Sequence, residues 1–234
     1  MFVLLYLLKI HLITVYFFIK IFHKQKKQVC FLSRQSNELS LNYKMVMDAL
    51  DQENIPYRYV VKKVNTNIND SLRTQGNYAS GRTFVKSILG NLSSAFKYYF
   101  SLYTQMRLIA SSKVIITDGY NLPVSLLKHK KGTKVIQMWH ALGAVKKFGY
   151  QTIGNKDGIN PRVAKVLKMH YNYDYVLSGA EAMNPYFAEA FHVSLDKVLA
   201  IGTPTIDYLL KNDAKKKNSI YKKYPEFKEK INIL

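Results

Sequence analysis

A chain of 234 residues can bury one substantial core and has length left for part of a second domain. Its 35 Lys and Arg against 15 Asp and Glu give a net charge of +20, so the expected partner is anionic: nucleic acid, an acidic lipid surface or a phosphorylated substrate. The single cysteine, Cys30, excludes an intrachain disulfide and fits a reducing compartment. The six histidines lack metal-ligand spacing, so neither a metal nor a cofactor is expected.

Residues 1–22 are apolar almost throughout, interrupted by Lys9, His11 and Lys20 and followed by His23-Lys24-Gln25-Lys26-Lys27. A cleaved leader carries its charge first and ends in small residues, and neither holds here. A transmembrane helix, an interfacial helix and a helix packed on the protein's own core all fit the pattern, and membrane contact is the expectation. Residues 27–33 (KQVCFLS) read as a first buried strand, with Arg34 and Ser36 in the loop after it. Residues 41–53 have apolar residues at helical spacing, and Asn54-Ile55-Pro56 ends that helix. A second strand is predicted over 57–64, a mobile Asn/Ser/Thr/Gly-rich loop over 65–81, and a long helix from Arg82. Val85, Ile88, Leu89, Leu92, Phe96, Tyr99, Tyr103 and Met106 form its predicted core stripe, with Arg82, Lys86, Lys97 and Arg107 opposite.

The stretch over 114–149 organises the rest. Two β-branched runs, 114–117 and 134–138, flank a short helix that Pro123 can open, and Gly132 breaks the chain before the second run. That second strand delivers Gln137, Trp139 and His140 to its carboxyl end, where ligands bind in open parallel sheets. Ala141–Gly143 then makes a small-residue turn, followed by Lys146 and Lys147. A basic helix is predicted over 162–171, a strand over 175–178 and a helix over 184–191 with Pro185 in its first turn. A further strand spans 198–201, Gly202-Thr203-Pro204 is its exit turn, and 206–211 continues helical. A polar, basic segment follows, and Ile231-Asn232-Ile233-Leu234 reads as the start of another strand. Strands alternating with helices predict an α/β fold with a doubly wound, mostly parallel sheet.

The segment Gln137-Met138-Trp139-His140-Ala141-Leu142-Gly143-Ala144-Val145-Lys146-Lys147-Phe148-Gly149 resembles the CDP-glycerol glycerophosphotransferase family, the teichoic acid and related polymer transferases of Gram-positive bacteria. The commoner pattern is Gln-Thr-Trp-His-Gly, a short turn, then Leu-Lys-x-Leu-Gly; this chain has Ala after the His and a turn one residue longer. Phe31-Leu32-Ser33-Arg34-Gln35-Ser36, Ala110-Ser111-Ser112-Lys113 and Ile201-Gly202-Thr203-Pro204-Thr205-Ile206-Asp207 resemble further family segments, so the likeness covers nearly all of 27–234.

The resemblance implies a GT-B architecture, two Rossmann-like domains facing a cleft, on a peripheral membrane enzyme at the cytoplasmic face. On that reading residues 1–27 form the membrane-associating helix, 28–212 the Rossmann-like acceptor-side domain, and 213–234 a linker and the start of a donor-binding domain. His140 takes the place of the proposed catalytic base. Lys146, Lys147 and Arg34 would hold acceptor phosphates, with Gln137 and Trp139 supporting the loop. The family's donor motifs, a second His-Ser pair and an Arg, have no match here, so the expectation is the front half of such an enzyme with the donor site unassigned. The implied partners are CDP-glycerol, a polyprenyl-linked or glycerophosphate-primed acceptor and an anionic membrane surface. Without the family, a lone His at a strand end is more often a structural hydrogen bonder. The rivals are a non-catalytic remnant or acceptor-binding domain, and a basic nucleic-acid-binding protein; the latter is disfavoured because no nucleic-acid-binding motif appears.

Overall fold

The computed structural model of the chain describes residues 2–63, 81–155, 159–211 and 214–228. Among them, six parallel strands form one sheet in the order β2-β1-β3-β4-β5-β6: β1 Lys26–Ser33, β2 Tyr57–Val61, β3 Ser112–Thr117, β4 Lys134–Gln137, β5 Tyr175–Leu177 and β6 Val198–Leu199. The helices are α1 Phe2–Phe22, α2 Leu41–Gln52, α3 Gly81–Ser111, α4 Leu122–Leu126, α5 Pro161–Val166, α6 Asn184–Phe191, α7 Pro204–Leu210 and α8 Ala214–Lys223. This is the doubly wound α/β sheet that the alternation of elements predicts.

Burial along β1 explains why it is a central strand. Val29 through Ser33 are buried consecutively, the mark of a parallel strand covered on both faces. Successive side chains point to opposite faces. Cys30 and Leu32 therefore join Ile115, Val135, Met106 and Ile109 in one apolar cluster, while Val29 and Phe31 pack with Tyr43 and Met47 of α2 in the other. Cys30 is fully buried, and that burial pushes its thiol well above the ordinary range, which leaves an inert core residue. Local signals set the ends of the short helices. Ser40 caps α2 by accepting from Tyr43 N, and Asn121 caps α4 by accepting from Val124 N.

Several boundaries differ from the predicted ones. The helix α3 runs straight into β3, so that strand begins two residues before its β-branched run. In the described half of α3 the inward residues are Leu102, Gln105, Met106, Ile109 and Ala110, whereas Phe96, expected in the core, is 60% exposed. Val85, Ile88, Leu89 and Leu92 lie outside the described side chains, and the loop expected over 65–80 and the strand start expected at 231–234 fall outside the described residues. The basic helix predicted over 162–171 stops at Val166, because Lys168, His170 and Asn172 take left-handed backbone that a helix cannot continue. β2 stops at Val61, β6 has only two residues, and the basic segment near 215 is helical in α8.

The first helix resolves the question of its environment in two parts. Leu12 and Tyr16 are buried in the core cluster, and α1 lies against α3 and α5. Tyr16 Oη hydrogen-bonds His129 Nδ1 at 3.3 Å, and Lys20 Nζ donates to the Lys128 carbonyl at 2.9 Å. On the other side Tyr6, Ile10, Ile13, Phe17 and Ile21, spaced three and four apart, are 44–61% exposed. Leu5–Phe22 is long and apolar enough to cross a membrane by length and composition.

Candidate active site

The strand order reverses between β1 and β3: the chain goes outward from β1 to β2, then crosses back to lay β3 on the other side of β1. Such a reversal opens a crevice at the carboxyl ends of the strands, because the loops leave in opposite directions. The loops that meet here carry Arg34 and Gln35 after β1, Asp118 to Tyr120 after β3, and Met138 to His140 after β4.

Asp118 sits at the centre. Ser33 Oγ donates to Asp118 Oδ2 at 2.7 Å, and the same Oγ accepts from Gln35 N at 3.2 Å. Asp118 is 3% exposed, and its Oδ1 is buried with no hydrogen-bond partner. Burial pushes its carboxyl above the usual range, against the opposing pull of the Ser33 hydrogen bond and of His140. Buried polar atoms are almost always paired, so an unpaired carboxylate oxygen marks the site for attention. Arg34 adds a second such atom: its Nε is buried and unpaired, while one terminal nitrogen donates to the Tyr120 carbonyl at 3.2 Å. Its guanidinium lies over the rings of Tyr98 and Tyr120, 5.3 and 5.9 Å from their centroids.

His140 reaches this group from β4. Its Nδ1 stands 2.9 Å from the Asp118 carbonyl oxygen. A carbonyl only accepts, so Nδ1 carries a proton, and Nε2 is the ring nitrogen that can take one up. The residue is exposed. Trp139 beside it has φ 60°, a left-handed conformation that costs a residue with a Cβ about 1–2 kcal/mol. Aromatic packing holds it there: its ring stacks on Phe148 at 4.4 Å, meets Phe191 edge-on at 5.4 Å, and lies 4.1 Å from the His140 ring. Its Nε1 is buried and unpaired.

Gln137 secures the turn from beneath. It is fully buried, with Nε2 donating to the Gly119 carbonyl and to Tyr173 Oη at 3.2 and 3.0 Å, and Oε1 accepting from Trp139 N at 3.0 Å. One amide thereby joins the loop after β3 to the loop after β4. The His loop ends at Gly149, whose φ is +57° and where a Cβ would stand 2.2 Å from the Ala190 carbonyl oxygen. Only glycine fits that approach.

Of the residues expected from the sequence, Arg34, Gln137, Trp139 and His140 converge. Lys146 and Lys147 stand exposed further along the His loop, and among the described residues no hydrogen bond or ion pair ties them to the cluster. Ser33, Asp118 and Tyr120 belong to the site without having been singled out. The signal for Asp118 was its place at the carboxyl end of the VIITD run, directly before a glycine.

The family model for CDP-Glycerol:Poly(glycerophosphate) glycerophosphotransferase matches residues 14–234. The teichoic acid ribitol-phosphate primase of Bacillus spizizenii is 33% identical over 155 residues, which cover 65% of this chain and 39% of that protein. The teichoic acid glycerol-phosphate primase of Bacillus subtilis is 39% identical over 109 residues, 47% of this chain and 29% of that one. The matched segments thus span well under half the length of these curated relatives. Among solved structures, the wall teichoic acid polymerase TagF superposes with a TM-score of 0.57 at 17% identity, covering 89% of this chain and 48% of its own. At that identity the likeness speaks for the fold alone, and it agrees with the Rossmann-like sheet of a GT-B transferase. With a match to its model over nearly its whole length, the chain belongs to the CDP-glycerol:poly(glycerophosphate) glycerophosphotransferase family, and its curated relatives are teichoic acid primases and polymerases.

Proposed function

We propose that this chain provides the acceptor side of a CDP-glycerol glycerophosphotransferase acting in teichoic acid or related polymer synthesis. An acceptor hydroxyl, on a polyprenyl-linked or glycerophosphate-primed lipid, attacks the β-phosphorus of CDP-glycerol. The new P–O bond forms as the bond to CMP breaks, CMP leaves with the electron pair, and the hydroxyl proton passes to His140 Nε2. A hydroxyl is a poor nucleophile until a base takes its proton, and phosphoryl transfer otherwise depends on positioning and charge neutralisation. Arg34, Lys146 and Lys147 hold acceptor phosphates at the rim, while Gln137 and Trp139 fix the loop. The buried Asp118 carboxylate beside His140 would favour the imidazolium formed in the step. Residues 28–212 are read as the acceptor-side domain and 213–234 as a linker and the start of a donor-binding domain.

One observation carries the reading: the 2.9 Å bond from His140 Nδ1 to the Asp118 carbonyl leaves Nε2 as the ring nitrogen that can take a proton, on an exposed residue at the switch point. The test is acceptor-dependent release of CMP from CDP-glycerol by the assembly that contains both this chain and the donor site. CDP-ribitol is run beside it, because the relatives are named for glycerol- and ribitol-phosphate alike. Loss of CMP release in His140→Ala with thermal melting unchanged is the expected result; unchanged release would sink the assignment. Acceptor binding without CMP release in any assembly would mean a non-catalytic acceptor-binding domain.

The same proposal puts the protein on the cytoplasmic face of the membrane, with the exposed stripe of α1 in the lipid. Residues 1–27 contribute Leu12 and Tyr16 to the core, so deleting them would confound anchoring with folding. Charging the outer stripe instead, with Ile10→Lys and Phe17→Lys, should move the protein to the soluble fraction while its melting temperature holds.

A further inference from the structure

A second concave site lies at the opposite edge of the sheet, where the strands begin. A cavity of about 710 Å³ opens beside α1, with Ile13, Leu127, Val135 and Val193 among its apolar walls and Lys128, Lys168 and Lys197 on its lining. The one carboxylate in the wall is already committed, since Asp174 accepts from Val135 N at 2.9 Å and from Lys134 Nζ at 3.2 Å. Lys197 is half-buried, with Nζ fixed by the Tyr173 carbonyl at 3.1 Å, which leaves two of its protons free to donate. Lys128 and Lys168 are exposed at the mouth.

The backbone around this cavity is unusual. Six non-glycine residues have positive φ among the described residues, and four of them, Lys168, His170, Asn172 and His192, line it. Strained backbone persists where surrounding structure enforces it, and it concentrates at sites that bind or react. The enforcement is visible: Asn172 Nδ2 reaches the carbonyls of Val124, Ser125 and Leu127 at 2.8–3.1 Å.

Ile13 ties the cavity to the outer stripe of α1. It lines the wall and is also the middle residue of the exposed series Tyr6, Ile10, Ile13, Phe17, Ile21. An apolar track therefore leads directly into a lysine-lined hollow. We infer that this cavity binds the phosphate headgroup of an anionic phospholipid, with a hydrocarbon chain laid along the α1 stripe. Three ammonium groups face a charge that needs them, and the apolar walls and track match the glycerol and acyl portions that a free anion lacks. The inference rests on reading α1 as a membrane-contacting helix and is independent of the transfer chemistry at His140.

The test uses the full 234-residue chain and two charge-matched double variants. Lys128→Gln/Lys168→Gln empties the mouth, and Lys44→Gln/Lys62→Gln removes the same charge from exposed positions elsewhere. Isothermal titration with submicellar dihexanoyl phosphatidylglycerol should give one site, weakened about thirtyfold in the cavity variant and little changed in the control. Glycerol 3-phosphate and inorganic phosphate should bind far more weakly. Equal loss in both variants, or inorganic phosphate binding as tightly as the lipid, would overturn the inference. Vesicle pelleting separates it from the reading of α1: Ile10→Lys/Phe17→Lys should abolish binding to phosphatidylcholine vesicles as well. The cavity variant should lose only the increment brought by phosphatidylglycerol. If the stripe variant still pellets, the membrane role of α1 fails; if the cavity variant keeps the increment, the headgroup site fails.

Discussion

The two edges of the sheet treat their polar side chains in opposite ways. At the amino edge, the lysines of the cavity aside, the buried and half-buried polar side chains are mostly spent on structure. Gln25 Nε2 bonds the Ser112 carbonyl and Thr133 Oγ1, Gln28 Nε2 bonds Ser111 and Ser112 hydroxyls, and Asp174 is shared between Val135 N and Lys134. His129 sits there with both nitrogens engaged, Nε2 on the Val124 carbonyl and Nδ1 on Tyr16 Oη. At the carboxyl edge Arg34 Nε, Asp118 Oδ1 and Trp139 Nε1 are buried without partners. A closed network resists rearrangement, whereas an open one keeps donors and acceptors for a ligand. The comparison teaches that, for its buried polar groups, the same sheet is a finished scaffold at one edge, where only the lysines of the cavity are left over for a ligand, and an unfinished constellation at the other.

The strongest way to break that contrast is to remove the base. His140→Ala should lower acceptor-dependent turnover by about two to four orders of magnitude while leaving the melting temperature in place. Loss of both together would make His140 a structural residue like His129.

Next in size is the close approach of the His loop to α6. Gly149→Ala puts a Cβ against the Ala190 carbonyl in a left-handed position, and should cost roughly 2–4 kcal/mol in urea unfolding. A variant of normal stability would mean that the His loop is free to shift away from α6.

The finished edge should in turn be sensitive to acid. Burial lowers His129 and His170 from 6.5 to about 4. A base whose folded value lies below its unfolded value stabilises the protein fully above the unfolded value, and that stability is lost as pH falls from 6.5 through about 4. Each imidazole can contribute up to ~3 kcal/mol to this loss. Equilibrium unfolding followed from pH 7 to pH 4 should show it, and His170→Gln should remove one share. A flat profile would contradict the burial of both rings.

Asp118 tests the unfinished edge from the stability side. Its folded value is raised by burial, so the ionised carboxylate works against folding once pH rises above its unfolded value and through the raised folded one. Asp118→Asn should therefore be more stable than the parent near neutral pH, with the advantage shrinking toward pH 4. It should also be slower by about tenfold, equivalent to ~1.4 kcal/mol of transition-state stabilisation. Greater stability with undiminished turnover would show that the carboxylate takes no part in the site.

The smallest effect belongs to the rim. Lys146→Gln and Lys147→Gln, both exposed, should each raise KM for the acceptor a few-fold with kcat unchanged, since exposed charge pairs contribute about 0.2–1 kcal/mol. A fall in kcat would place one of them against the reacting phosphate.

How much of this was legible beforehand follows from range. Arg34, Trp139 and His140 announced themselves through local pattern, and so did the short helix opened by Pro123. Asp118 offered only its place at the end of the VIITD run, because its importance comes from the reversal between β1 and β3, a fact about strand order that no local window contains. The helix predicted over 162–171 failed for a related reason: its composition is helical, but Asn172 is drawn into bonds with carbonyls some 45 residues earlier. Phe96 was misjudged because a helical stripe identifies a face without saying where along the helix the core stops. The first helix carried apolar residues on more than one side, and only the packing of Leu12 and Tyr16 shows which side turns inward.

The junction of α3 and β3 has a mechanical meaning of its own. The helix ends at Ser111 and the strand begins at Ser112 with no residue between them. Both hydroxyls are tied back to the Leu108 carbonyl and held by Gln28, so the joint has no slack. A rod fixed to a ribbon in this way passes on its displacement instead of absorbing it. Because α3 lies along α1, the piece of the molecule with the exposed apolar flank is geared to the strand that leads into Asp118. Whatever presses on that flank pushes on the same shaft that carries the acidic centre of the crevice.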